Sequence, residues 1–132
     1  MLIVIEFITL NMKPQSAKAK GRLLQKKVAA GILETFPSLT ENDVRSTPMG
    51  SNGADVMLSE AAYKLFPYQI ECKSKAQSQL HTYYEQAKTH GKHQPLVVVK
   101  KDRAETLAVV EWTHFLKLIS ENNKNKGVDL ED

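Results

Sequence analysis

Between Ser16 and Phe36 the apolar residues Leu24, Val28, Ile32 and Phe36, with Ala29 and Leu33 beside them, return at the spacing of one helix face. This predicts an amphipathic helix, ended by Pro37 and Ser38. Before it, Leu2 to Leu10 is almost continuously apolar and reads as a strand. After it, Asp43 to Thr47 reads as a short strand, and Pro48, Gly50, Asn52 and Gly53 mark a turn. Ala54 to Leu58 and Tyr68 to Lys73 are expected as two further strands, joined by Ser59 to Pro67 with room for a helical turn. In the second of these, Tyr68, Ile70 and Cys72 alternate with Gln69, Glu71 and Lys73. A second helix is expected from Ala76, with Leu80, Tyr83, Tyr84 and Ala87 on its face and Gly91 as C-cap. Leu96 to Val99 is short enough for a buried strand, and Thr106 to Val110 follows the charged turn at Lys101, Asp102 and Arg103. Glu111 to Ser120 closes the pattern as a helix, with 122–132 expected as a frayed tail.

That order predicts an α/β class and one domain over 1–132: a strand in 1–12, a core in 16–120 and a tail in 121–132. A chain of 132 residues has room for one core. Its 42% hydrophobic and 25% charged residues are ordinary for a folded, water-facing protein, and no run approaches the about 18 apolar residues of a membrane span. Met1 to Leu10 lacks a basic leading region and contains Glu6, which argues against a signal peptide. The single cysteine, Cys72, excludes an internal disulfide, and a cytoplasmic location is expected.

The net charge of +3 is modest, but its distribution is uneven. No acidic residue lies between Phe7 and Leu33, where Lys13, Lys18, Lys20, Arg22, Lys26 and Lys27 cluster. Such a run is either a solvated helix face or a surface that meets a polyanion. Asp55 heads one expected strand, while Glu71 and Lys73 lie two apart on the next, so the three side chains can meet on one side of a hairpin. Hard carboxylate oxygens are what Mg²⁺ takes, and an ammonium beside them can hold a water or an attacked phosphate. This combination suits phosphodiester hydrolysis, although exposed strands also alternate Glu and Lys as solvated pairs.

From Lys20 to Val110, about two thirds of the chain, the sequence resembles the PD-(D/E)XK nuclease superfamily, in particular its small phage-type and Holliday-junction-resolvase-like members. The resemblance rests on Lys-Gly-Arg-Leu-Leu-Gln at Lys20, Asp-Val-Arg-Ser-Thr-Pro-Met-Gly at Asp43, Gly-Ala-Asp at Gly53, Glu-Cys-Lys at Glu71 and Glu-Gln-Ala at Glu85. It implies a restriction-endonuclease-like α-β-β-β-α-β core, here with an extra N-terminal strand and a C-terminal helix, and a metal-dependent DNA endonuclease acting on branched or recombination DNA. The implied cofactor is Mg²⁺, with Mn²⁺ as a substitute. Asp55 and Glu71 become metal ligands, the Cys72 backbone carbonyl a third, and Lys73 the group that orients water or steadies phosphate. Many members carry a glutamate on the first helix, where this chain has Gln25. That amide falls within the apolar stripe, as a hydrogen-bonded core group or as a catalytic group holding a metal-bound water or Lys73. A non-catalytic DNA-binding or assembly module that retains the fold is the competing expectation.

The DNA-contacting set read from position comprises Lys18, Lys20, Arg22, Arg45, Ser46, Thr47, Lys75 and Lys88, each with simple solvation or an ordinary strand edge as its alternative. Gln86 and Lys88 lie on opposite sides of the apolar face of their helix. Cys72 reads as a small buried hydrophobe and not as a nucleophile. His90 and His93 flank Gly91 without the partners a zinc site needs. Tyr83 and Tyr84 are expected to pack in the core ahead of stacking on bases. A homodimer is expected, with Leu2 to Leu10 contributing to its interface, since two copies would supply two sites for two strands.

Overall fold

The computed structural model of the chain describes residues 16–48 and 53–127. Among these residues it is a mixed α/β structure with four helices and two antiparallel two-stranded sheets. In chain order the elements are α1 (Ala17–Thr35), β1 (Val44–Ser46), β2 (Val56–Leu58), α2 (Glu60–Leu65), α3 (Gln79–Lys88), β3 (Val97–Lys100), β4 (Thr106–Val109) and α4 (Trp112–Asn125). The strand expected at Leu2 to Leu10, and with it the expected dimer contact, lies outside the described residues.

Helix α1 starts where the Ser16 hydroxyl accepts from the Ala19 amide at 3.1 Å, satisfying one of the unpaired donors of the first turn. It ends at Phe36, before Pro37. Its inner face buries Gln25, Val28, Ala29 and Ile32, the stripe expected from the spacing. Gly31 lets α4 approach closely. A Cβ there would stand 3.1 Å from Trp112 Nε1 and 3.3 Å from Leu116 Cδ1, so the roughly 1 kcal/mol that glycine costs a helix interior is offset by packing against α4. Phe36, Phe66, Ile32 and Val56 are the largest fully buried side chains, each stabilising by roughly 1.5–3 kcal/mol.

β1 and β2 pair in register, Val44 with Leu58, Arg45 with Met57 and Ser46 with Val56. Val44 and Val56 face the core, whereas Arg45 and Met57 point to the exposed side. The expected helical turn in the connection is α2. The Ser59 hydroxyl caps it by accepting from the Ala62 amide and in turn donates to Asp43 at 2.7 Å. After α2, Phe66 packs edge-on against Tyr68 (4.8 Å), Phe115 (6.0 Å) and Trp112 (6.1 Å). This aromatic group fastens the start of the 68–73 segment to α4.

Four expectations need correction. Tyr68 to Lys73 is not a ladder strand. Asp55 N donates to the Ile70 carbonyl at 2.8 Å, but the next donor, Cys72 N, bonds the Asp55 carboxylate where a backbone carbonyl would continue a sheet. The expected run of three strands is therefore a two-stranded sheet with an irregular segment beside it. The second helix begins at Gln79 and not at Ala76, because Ser78 takes an extended conformation. It buries no residue: Leu80 is 42% and Tyr83 39% exposed, since α3 packs on β3 and not into the main core. In β3 Val97 is buried but Val98 is 60% exposed, because β3 and β4 form a separate hairpin. The expected tail is helical as far as Asn125, and Asn123, 4% exposed, donates to the Leu65 carbonyl at 2.8 Å, capping the end of α2.

Candidate functional site

Asp55 stands where three segments cross. Its carbonyl accepts from Thr47 N at 2.9 Å, its amide donates to Ile70, and its Oδ2 accepts from Cys72 N at 2.5 Å. These bonds follow from its place at the head of β2, just after Gly53, whose φ of +100° suits the turn out of the loop. Thr47 closes that loop from the other side, donating through its hydroxyl to the Ala54 carbonyl at 2.7 Å.

The Cys72 amide joins Glu71 to Cys72, so the carboxylate of Asp55 sits at the peptide link between them, with Lys73 the next residue along the chain. Ile70 and Cys72 pack against the hydrophobic core, while Glu71 and Lys73 are exposed. The alternation expected of a strand is thus present although the ladder is not. Both carboxylates act on the thiol between them: burial first, then the charges of Asp55 and Glu71, push the Cys72 thiol above its ordinary value. A raised thiol with two negative neighbours is a poor nucleophile, in keeping with the buried-hydrophobe reading. Asp55 and Glu71 together offer hard oxygen donors of the type and number Mg²⁺ takes from protein, the remainder being water and phosphate oxygen. The Asp55–Cys72 bond uses one of about four lone-pair sites on that carboxylate.

Gln25 belongs to the same neighbourhood through β1. It is 6% exposed, and its Oε1 accepts from the Ser46 hydroxyl at 2.9 Å. Ser46 precedes Thr47, which bonds Asp55, so α1 is tied to the site by a side-chain bond and a backbone bond one residue apart. Lys18 and Arg22 lie on the same line of α1 as Gln25, at helical spacing of seven and three residues, and both are exposed. Lys20 is half-buried and turned about 140° from that line. Among the described residues no carboxylate forms a salt bridge with the basic residues of α1.

The remaining expected residues are placed differently. Arg45 is exposed on the opposite face of β1 from Ser46. Thr47 is buried, and its hydroxyl proton is engaged with Ala54. Lys75 is exposed and shares with Lys73 the rim of a cleft beside α3, whereas Lys88 is paired with Glu85 at 3.5 Å and does not line that cleft. The donor that holds Asp55, the Cys72 amide, was not legible in the sequence, since every non-proline residue carries one. Phe66, which anchors the segment together with Tyr68, falls where the pattern suggested only a connection; two aromatics flanking Pro67 were the available signal. Comparison with protein-family models, with curated proteins and with solved structures found no match, and the chemistry of the site rests on its own residues.

Proposed function

We propose that this chain is a metal-dependent DNA endonuclease of the restriction-endonuclease-like type, with Asp55, Glu71 and Lys73 as its catalytic residues. The observation that carries the reading is the bond from the Cys72 amide to the Asp55 carboxylate, which seats one carboxylate against the backbone between the other carboxylate and the lysine. In this reading α1, β1, β2, the 68–73 segment, α3 and β3 correspond to the α-β-β-β-α-β order of that core.

Asp55 and Glu71 would hold Mg²⁺, with Mn²⁺ as a substitute and the Cys72 carbonyl as a further oxygen donor. Bound there, the cation supplies charge to polarise a phosphodiester and to acidify water. The Cys72 amide fixes the rotamer of Asp55, so that its carboxylate is oriented before substrate arrives. Lys73, exposed on the same stretch, donates hydrogen bonds to the non-bridging phosphate oxygens or to the attacking water, and its positive charge offsets the negative charge that grows on the phosphate as the bond breaks. Lys18 and Arg22 extend the site along α1 toward the flanking phosphates.

A second reading, a DNA-binding module without catalysis, is favoured by Gln25: many members of the superfamily that the sequence resembles carry a carboxylate on this helix, and here an amide oxygen is engaged by Ser46. Cleavage assays separate the two. Incubated with linear, nicked, single-stranded and four-way DNA, the protein is expected to cut in Mg²⁺ and not in EDTA. Asp55→Asn and Glu71→Gln should each lower cleavage by at least about a hundredfold while DNA affinity stays within about threefold, because they remove metal ligands and not basic surface. Full cleavage by either variant rejects the site; binding without any cleavage by the unaltered protein selects the second reading.

A further inference from the structure

Beyond Lys73 the chain runs along an open cleft of about 550 Å³ between α3 and the junction of β4 with α4, within the roughly 300–1,000 Å³ range of small-ligand sites. Its lining is of two kinds. Lys73 and Lys75 bring positive charge, and Leu80, Tyr84, Val109 and Val110 bring apolar surface with one aromatic ring. The ring is half-buried, with Gln94 Nε2 3.4 Å from its hydroxyl. The carboxylates that border the cleft are engaged elsewhere: Glu111 accepts from the amides of Thr113 and His114 at the start of α4, and Glu85 pairs with Lys88. Of the two, only Glu85 has its charge countered by a cation, so Lys73 and Lys75 face the single remaining carboxylate of Glu111 and leave the lining with a positive excess.

An anionic head beside a flat, largely apolar body is the chemistry of a nucleotide. We propose that this cleft receives one unpaired nucleotide of the substrate strand, its phosphate on Lys73 and Lys75 and its base against Tyr84. The proposal rests on the nuclease reading, because it places that nucleotide next to the phosphate at Lys73. A base inside a duplex is stacked and paired on the faces this cleft would have to contact, so the site selects strands with a free, splayed or terminal nucleotide. Branched and single-stranded DNA offer such nucleotides and blunt duplex does not.

The test is fluorescence titration of the full chain, in EDTA so that nothing is cut, with a single-stranded oligonucleotide carrying 2-aminopurine and with the matching blunt duplex. The single strand is expected to bind at least about tenfold more tightly than the duplex, with quenching of the base analogue by the tyrosine. Tyr84→Leu, which keeps apolar bulk, should lose the quenching and about tenfold in affinity, the order of one stacked base. Lys75→Ala, an exposed position that carries the test if the tyrosine variant does not fold, should lower the salt slope by about 0.7. Equal binding of duplex and single strand, unaltered behaviour of Lys75→Ala, or no binding overturns the cleft. A parallel incubation in Mg²⁺ keeps the two proposals apart. Cleavage with an unaltered Lys75→Ala slope rejects the cleft alone, and binding with the expected variant defects but no cleavage rejects the nuclease and supports the cleft.

Discussion

Two buried amides show how single side chains hold this structure. Gln25 and Ser46 are joined by one bond between α1 and β1, and Asn123 donates to Leu65 across 58 positions of sequence. Removing one partner of such a bond leaves a polar group unpaired, whereas replacing both with apolar groups removes the need. Gln25→Leu and Ser46→Ala are therefore each expected to lower stability by about 1–3 kcal/mol, and the double variant by clearly less than their sum, read as urea midpoints in a double-mutant cycle. Strict additivity would mean that the bond contributes nothing. Gln25 announced itself in the sequence as an amide inside an apolar stripe. Asn123 did not, because it lies among Glu121, Asn122, Lys124 and Asn125, where a polar residue is unremarkable and its acceptor is far along the chain.

Helix α1 was the most legible element, because its apolar period and its terminating proline agree with one another. Its outer charge was legible too. Lys18 and Arg22 continue the line of Gln25 past the buried part of the helix, and a strand lying along that line would release counterions from each phosphate it presents to them. Lys18→Ala and Arg22→Ala should each flatten the dependence of log affinity on log salt by about one, measured on duplex DNA in EDTA; an unchanged slope in both removes α1 from the interface. The 68–73 segment shows the opposite case. Its alternation gave the right sides for Ile70, Glu71, Cys72 and Lys73, but an alternating pattern reports which face is buried and not whether a neighbouring backbone supplies the ladder. Here a side chain, Asp55, took the place of that neighbour. Helix α3 shows a further difference: the apolar spacing was real, yet its face meets β3 and an open cleft instead of the core.

At the level of the assembled chain, two carboxylates join parts that are distant in sequence or begin an element. The Thr40 amide, then the Ser59 hydroxyl, hold the Asp43 carboxyl below its ordinary value, and the Thr113 amide does the same for Glu111 at the start of α4. A carboxyl whose folded value is depressed stabilises the fold above its unfolded value and loses that contribution as pH falls through the folded one. The urea midpoint is therefore expected to hold near neutrality and to fall as pH drops below the ordinary carboxylate values of 3.8 and 4.5. Asp43→Asn should start lower at neutral pH and show a shallower acid loss; an acid profile identical to that of the unaltered protein would show that the Asp43 bonds do not couple to folding. The period of α1, its terminating proline, its basic run and the alternation around Cys72 are properties of neighbours along the chain, so composition and spacing were enough to read them. The placement of Asp55 against the Cys72 amide, the anchoring of Phe66 on α4, the seat of Asn123 under α2 and the cleft beside α3 depend on partners brought together by burial from remote segments. Hydrophobic patterning is non-directional and tells which side turns inward; the identity of the group it meets there is settled by packing and by the hydrogen bonds that packing makes obligatory.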